Sequence, residues 1–307
     1  MSFERPLIIR PPSEWKSYFL PLTSGCSNNT CAFCGYFGSK LQMRDIEGVR
    51  KEIDALAALV SYGLDIPGVE ISPLDYWDGK RVFLQDADAL VYPFPKLKEI
   101  LEYLNKKFPN LERIAAYATP QDLLRRDVAE LNTLKELKLG ILYTGLESGS
   151  DEVLQRVNKG LNSNQIIKAA RKAKEAGVTM SITVILGLAG IEGSEKHVED
   201  TARVLSEIDP EYAGALTLTL VPGTPLYEEW KEGNFHLISP FQSLEELKTI
   251  IERANFTNCF FSSMHASNYQ AIRGRLPQDK EGMIEELGYV LTKRDPSSLR
   301  PEFSRGL

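Results

Sequence analysis

The 307-residue chain is poor in the side chains that build most metal and disulfide sites: it has four cysteines and three histidines. Four cysteines, three of them within nine positions, cannot form the disulfide framework of a small secreted protein, and they point instead to metal or catalytic chemistry in a reducing compartment. No run approaches the roughly 20 consecutive apolar residues of a membrane span, and the opening MSFERPLIIRPPSEWK lacks the apolar core of a signal peptide. A cytoplasmic, non-membrane protein is expected. A basic excess is also missing: the formal charge is −6, which argues against a general nucleic-acid binder. Basic residues gather only in the tail, at Arg273, Arg275, Lys293, Arg294, Arg300 and Arg305, where a solvated face accounts for them equally well.

What is present is a repeating apolar pattern, and 43% hydrophobic content is enough for a full core. Short runs rich in branched residues alternate with stretches of helical period. They place strands at 17–22, 81–85, 113–118, 140–146, 180–188 and 214–220. Helices are expected near 45–61, 95–107, 122–138, 163–177 and 195–208, the clearest being SNQIIKAARKAKEAG, with Ser163 or Asn164 as cap and Gly177 as stop. Strands that are near-continuously apolar are covered on both faces, so the pattern predicts an α/β fold. Six units would make a partial (β/α)6 barrel over 1–230, with its site at the carboxyl ends of the strands. The repeat stops after Tyr227, and 231–307 reads as an extension of helix, one extended segment, loop and helix, placed to cover the barrel opening.

Three thiols, Cys26, Cys31 and Cys34, follow the first strand in a C-x4-C-x2-C pattern within TSGCSNNTCAFCGYFGS. Structural zinc would need a fourth ligand, and His197, His236 and His265 all lie outside this loop. A three-cysteine set that leaves one metal position open suits a 4Fe-4S cluster whose unique iron binds a small molecule.

With these features the chain resembles the radical S-adenosylmethionine (SAM) superfamily. The resemblance rests on the cysteine loop with Phe33 between its last two thiols, FLQDADALVYP, GLESGSDEVLQRVNKG, ILGLAG and LTLVPGTPLY, and covers about 15–230. The cysteine spacing is one residue longer than the superfamily's commonest C-x3-C-x2-C. In detail it is similar to the branch of oxygen-independent coproporphyrinogen oxidase-like and radical tRNA-modifying proteins. The resemblance implies a cluster held by Cys26, Cys31 and Cys34, SAM as cosubstrate, cleavage of SAM to a 5′-deoxyadenosyl radical, and an electron donor such as flavodoxin or ferredoxin. Phe33 and Tyr36 would lie near the cluster and adenine, or else anchor the loop in the core. Gln85, Asp86 and Asp88 stand where the family often has a Gly-Gly-Glu segment at the methionine amino group, and the two aspartates can equally cap the following helix. Glu147, at the end of an apolar strand, would accept from the ribose hydroxyls. Ser181, Thr183, the GLAG glycines and Val221 complete the cofactor side.

The reaction on the substrate is left open between oxidation, methylation, rearrangement and sulfur insertion, because the shared barrel does not select one. A small molecule or cofactor precursor is expected. Cys259 cannot hold an auxiliary cluster alone. The alternatives are a non-catalytic cluster or haem-handling protein of the same fold, or an RNA-modifying enzyme. For the tail segment NCFFSSMHASNYQAIRGRLP, the reading assigns Cys259, His265 and Tyr269 to catalysis and Asn268, Arg273 and Arg275 to substrate binding. Core packing of Cys259, and arginines that merely pin the last helix, are the competing roles.

Overall fold

The computed structural model describes residues 3–306. In chain order it contains β1 (Tyr18–Pro21), β2 (Thr23–Ser24), β3 (Gln42–Met43), α1 (Ile46–Tyr62), β4 (Arg81–Gln85), α2 (Phe94–Lys107), β5 (Arg113–Tyr117), α3 (Pro120–Arg125), α4 (Val128–Glu136) and β6 (Leu139–Glu147). There follow α5 (Asp151–Arg156), α6 (Ser163–Glu175), β7 (Thr179–Leu186), α7 (Gly190–Ile208), β8 (Tyr212–Thr217), α8 (Pro225–Lys231), α9 (Pro240–Arg253), β9 (Cys259–Ser262), β10 (Arg273–Leu276) and α10 (Lys280–Lys293). No helix among the described residues is long and apolar enough to cross a membrane.

The local causes of these elements are visible. Helix α1 begins at Asp45, whose carboxylate accepts from the Gly48 amide at 2.7 Å, and ends at Gly63, which takes the left-handed φ of 66° that L-residues resist. The single helix expected over 122–138 is two helices. Arg126 is extended (ψ 145°), and Asp127 with Glu130 forms a capping box that restarts the chain as α4.

The chain divides into two compact units, one of residues up to 29, 38–143 and 172–179, the other of 30–37, 144–171 and 180 onward. In the first, β1, β4, β5 and β6 pair in parallel in that order, with Phe19 opposite Phe83, Ala115 opposite Ile141 and Tyr117 opposite Tyr143. Because strand side chains alternate, one face of this ladder gathers Phe19, Phe83, Ala115, Ile141 and Tyr143, with Tyr117 against them. In the second unit β7, β8 and β9 are parallel and β10 runs antiparallel to β9. The fold class is α/β with a mostly parallel set of strands, as the pattern predicts. The repeat does not stop at Tyr227: α8 and α9 lead to β9, a further parallel strand beside β8. The tail also holds two strands rather than one extended segment, because RGRL buries Gly274 and Leu276 while leaving both arginines in solvent, a pattern that reads as polar in sequence.

Candidate functional site

The cysteine loop is tied down at its start by Asp86. The Asp86 amide donates to the Thr23 hydroxyl at 3.1 Å, and its carboxylate accepts from the Gly25 amide at 2.9 Å, next to Cys26. Gly25 has a φ of 87°, and a Cβ there would lie 2.8 Å from the Lys40 carbonyl oxygen, so this close approach requires glycine. Asp88 is fully buried and accepts from the Ser27 hydroxyl, which also lies 2.7 Å from Asp122. Burial, with Asp122 alongside, holds the Asp88 carboxyl well above the usual carboxylate range. Asp122 goes the other way: hydrogen bonds from Asp88, Thr119 and Ser27, with the Arg125 guanidinium, outweigh its burial. Both carboxyls meet Ser27 and hold the start of the loop through it. Gln85 donates to the Leu7 carbonyl at 3.3 Å, and its own carbonyl accepts from the Leu22 amide at 2.7 Å. The acidic loop end therefore braces the cysteine loop, and Asp88 stands at the N-cap position of the 3-10 turn Ala89–Val91 without a side-chain hydrogen bond to it.

In the second unit the segment 30–37 is held by its backbone, the Ala32 amide donating to Val157 at 2.8 Å and its carbonyl accepting from Leu226 at 2.9 Å. Phe33, partly buried, packs against the apolar cluster that contains Val157, Leu188 and Leu226. The Tyr36 amide points at the Cys34 sulfur at 3.5 Å, a bond that stabilises charge on a thiolate. None of the four cysteines is in a disulfide. Among the described residues no three His, Cys, Asp or Glu side chains already stand at ligand spacing, so the fit to a cluster rests on donor chemistry. That chemistry fits: three thiols on one loop, an amide aimed at one sulfur, and a buried cation beside two of them.

The cation is Lys159, which the sequence reading missed. Its ammonium lies 2.8 Å from the Glu147 carboxylate, with side-chain exposures of 8% and 12%. Burial works against its charge, but Glu147, Cys31 and Cys34 raise its pKa, so it stays an ammonium. The Cys31 thiol is pushed up to about 11 by burial, Glu147 and Cys34 adding to the rise and Lys159 opposing it. Glu147 itself sits at a φ of 65°, unusual for a residue with a Cβ. Its carboxylate folds back over Gly145, where a Cβ would lie 1.8 Å from Oε1. The one signal for Lys159 in sequence is the N-K-G turn that follows α5, with Asn158 and Gly160 both at positive φ.

A polar bracket holds the loop after Glu147. The fully buried Ser148 hydroxyl meets His197 Nδ1 at 2.7 Å, and the Gly149 amide donates to Thr201 at 2.9 Å. His197 is pushed down to about 4 by burial and is neutral. Its Nε2 is buried with no hydrogen-bond partner among the described residues, 3.9 Å from Glu246, which accepts from the Gly187 amide at 2.7 Å and Ser194 at 2.6 Å. Gly187 begins the turn after β7, so α7 and α9 hold the ends of β6 and β7 together. Ser181 and Thr183 lie on the same face of β7, Thr183 partly exposed. Val221 accepts the Thr224 hydroxyl at 2.7 Å through its carbonyl.

The tail residues are largely committed to one another. Asn268 donates to the carbonyls of Ala215 at 2.7 Å and Ser263 at 2.9 Å and accepts from Thr217 at 2.8 Å, which pins the 263–269 turn to the end of β8. The Tyr269 hydroxyl donates to Glu302 at 2.6 Å, while Arg305 stacks on its ring at 4.3 Å. His265 meets the Ser267 hydroxyl at 2.9 Å. Cys259 is fully buried in β9. Arg273 and Arg275 stand on the exposed side of β10, Arg275 bonded to Asn258 at 2.8 Å.

Residues 20–205 match the model of the radical SAM superfamily. The chain belongs to that superfamily. It is 23% identical over 207 residues to the haem chaperone HemW of Bacillus subtilis, covering 62% of this chain and 53% of that one. It is 26% identical over 211 residues to the tRNA-2-methylthio-N(6)-dimethylallyladenosine synthase of Clostridium botulinum, covering 67% of this chain and 43% of the other. Among solved structures, coproporphyrinogen III oxidase (HemN) from Escherichia coli, a radical SAM enzyme, aligns with a TM-score of 0.54 at 18% identity, over 78% of this chain and 53% of that one. The chain spans about half the length of the curated relatives it matches. The fold class expected from the sequence is that of these structures. The cofactors of this superfamily are a 4Fe-4S cluster and SAM.

Proposed function

We propose that the chain holds a 4Fe-4S cluster on Cys26, Cys31 and Cys34 and cleaves SAM reductively to a 5′-deoxyadenosyl radical that acts on a small organic substrate. The observation that carries this reading is the buried Glu147–Lys159 pair beside the Cys31 and Cys34 thiols. When bound, the reduced cluster supplies the electron that splits SAM into methionine and the adenosyl radical. The chain's own work is binding and positioning. Glu147 offers buried carboxylate oxygens to the ribose hydroxyls, and Lys159 sets a positive charge where the SAM carboxylate and the thiolates are negative. Phe33 fixes the loop, and Asp86 with the Asp88–Asp122 pair fixes its start. A flavodoxin or ferredoxin is the fitting electron donor, and a net charge of −6 favours a small molecule over nucleic acid as substrate.

The test is anaerobic reconstitution followed by dithionite reduction with SAM. The native chain should hold about four irons, as expected for a 4Fe-4S site, and release 5′-deoxyadenosine, and Cys31→Ala should release none. Cleavage retained in Cys31→Ala would overturn the cluster assignment. A fully loaded native protein that makes no 5′-deoxyadenosine would instead mark a non-catalytic cluster carrier.

A further inference from the structure

The first unit carries two polar groups that the cofactor reading leaves unused. Its aromatic face is made by successive strands, with the Phe83 ring 5.2 Å from Tyr117 and 6.1 Å from Tyr143. The Tyr143 hydroxyl is occupied, donating to Glu14 at 2.6 Å. Tyr117 beside it is not: among the described residues nothing hydrogen-bonds its hydroxyl, and that oxygen is not sealed from solvent. Burial pushes its phenol well above the ordinary range, with Asp86 and Glu14 adding and Arg10 opposing, so it is a neutral donor.

Arg10 completes the pair. Its guanidinium rests 5.8 Å over the Phe19 ring, on the same aromatic cluster. Among the described residues it has no carboxylate partner or hydrogen bond. The acids around Tyr117 are already satisfied: Glu14 is paired with Arg113 at 2.6 Å and bonded by Ser17 at 2.6 Å, and Asp86 holds the Gly25 amide. The arm before it is apolar and open, Leu7 being 85% and Ile9 49% exposed, and is tied to the end of β4 through Gln85. A half-buried guanidinium with five unused donors, set on an aromatic ring beside an unbonded phenol, leaves polar groups short of partners that an anion would supply.

We propose that Arg10 and Tyr117 form a binding subsite for a small organic anion, a carboxylate or phosphate ester, whose apolar or aromatic body packs against the Tyr117 ring and the Leu7–Ile9 arm. Arg10 forks onto two oxygens of the anion while the Tyr117 hydroxyl donates to one of them. The inference deepens the proposed function by naming a substrate class. It rests on that reading only in calling the ligand a substrate, since the binding itself needs neither SAM nor an electron.

The experiment is a ligand-observed NMR titration of the cluster-loaded protein, without SAM, using phenylacetate, phenyl phosphate, inorganic phosphate and neutral benzyl alcohol. Saturable binding is expected for at least one of the two aromatic anions, tighter than for benzyl alcohol or inorganic phosphate. Whichever anion binds more tightly identifies the carboxylate or the phosphate class. Arg10→Gln should weaken it at least about tenfold, the loss of a charged hydrogen-bonded contact. Tyr117→Phe should weaken it severalfold with an unchanged melting temperature, because the hydroxyl bonds nothing in the protein. That variant keeps the test decisive even if Arg10→Gln folds poorly. Absence of saturable binding by both aromatic anions, or affinity unchanged in Tyr117→Phe and Arg10→Gln, overturns the proposal. Failure of SAM cleavage would leave these titrations intact, so the two readings fail separately.

Discussion

Glu147 is asked to do two things at once, and the two can be separated by substitution. As a buried charged acceptor its loss should weaken SAM binding by roughly 1.5–3 kcal/mol. It also neutralises Lys159, and removing one partner of a buried pair strands the other charge at a cost of about 3–5 kcal/mol. Glu147→Ala should therefore lower both SAM affinity and the melting temperature. The double variant Glu147→Gln, Lys159→Met removes the stranded ammonium and should recover most of the stability while SAM affinity, measured by calorimetry on the reconstituted protein, stays low. Recovery of both together would return Glu147 to a purely structural role. Gly145 gives a second probe, because a Cβ there would collide with Oε1 of Glu147, the oxygen that holds Lys159. Gly145→Ala should raise the KM for SAM and lower the thermal midpoint together, as Glu147→Ala does.

Elements, rather than single side chains, fix where Glu147 points. The loop after β6 is held by the buried polar face of α7, and a Cβ at Gly149 would lie 2.2 Å from the backbone oxygen of Asp200, so loop and helix meet without room for a side chain. His197 is a positioning residue in this arrangement, acting through Ser148. His197→Leu leaves the Ser148 hydroxyl short of a partner and should raise the KM for SAM severalfold with kcat for uncoupled cleavage nearly unchanged. His197→Asn, which can restore a nitrogen or oxygen near Nδ1, should recover the KM. Equal loss of kcat and melting temperature in both variants would mean that α7 only supports the fold.

Over the whole molecule the buried acid and base at this bracket set opposing pH dependences. His197 is depressed from 6.5 to about 4, so it stays neutral when folded but takes a proton when unfolded, and its contribution to stability is lost as pH falls from 6.5 towards 4. Glu246 is raised from 4.5 to about 7 by burial, so its contribution is present below 4.5 and is lost as pH rises through 7. Between pH 4.5 and 6.5 the two nearly cancel. Glu246→Gln removes the acid's share, and its stability in urea should fall steadily from pH 6.5 to 4.5 by a few kcal/mol, where the native protein changes little. A flat profile for that variant would show that His197 is solvated or charged in the folded state. The sequence alone determined the alternation of strands and helices, the three-thiol loop and the carboxylate at the end of β6, because hydrophobic period, turn chemistry and cysteine spacing are local properties. It misjudged the break at Arg126 and the RGRL strand, where a capping box and an edge position override a smooth pattern. Tertiary structure alone decided which polar groups are paired in the dark: Lys159 with Glu147, His197 with Ser148 across 49 residues, Ser27 with Asp88 across 61, and Asn268 with the end of β8. A buried charge or hydroxyl left without a partner costs free energy, and distance in space is the one quantity that local sequence pattern does not carry.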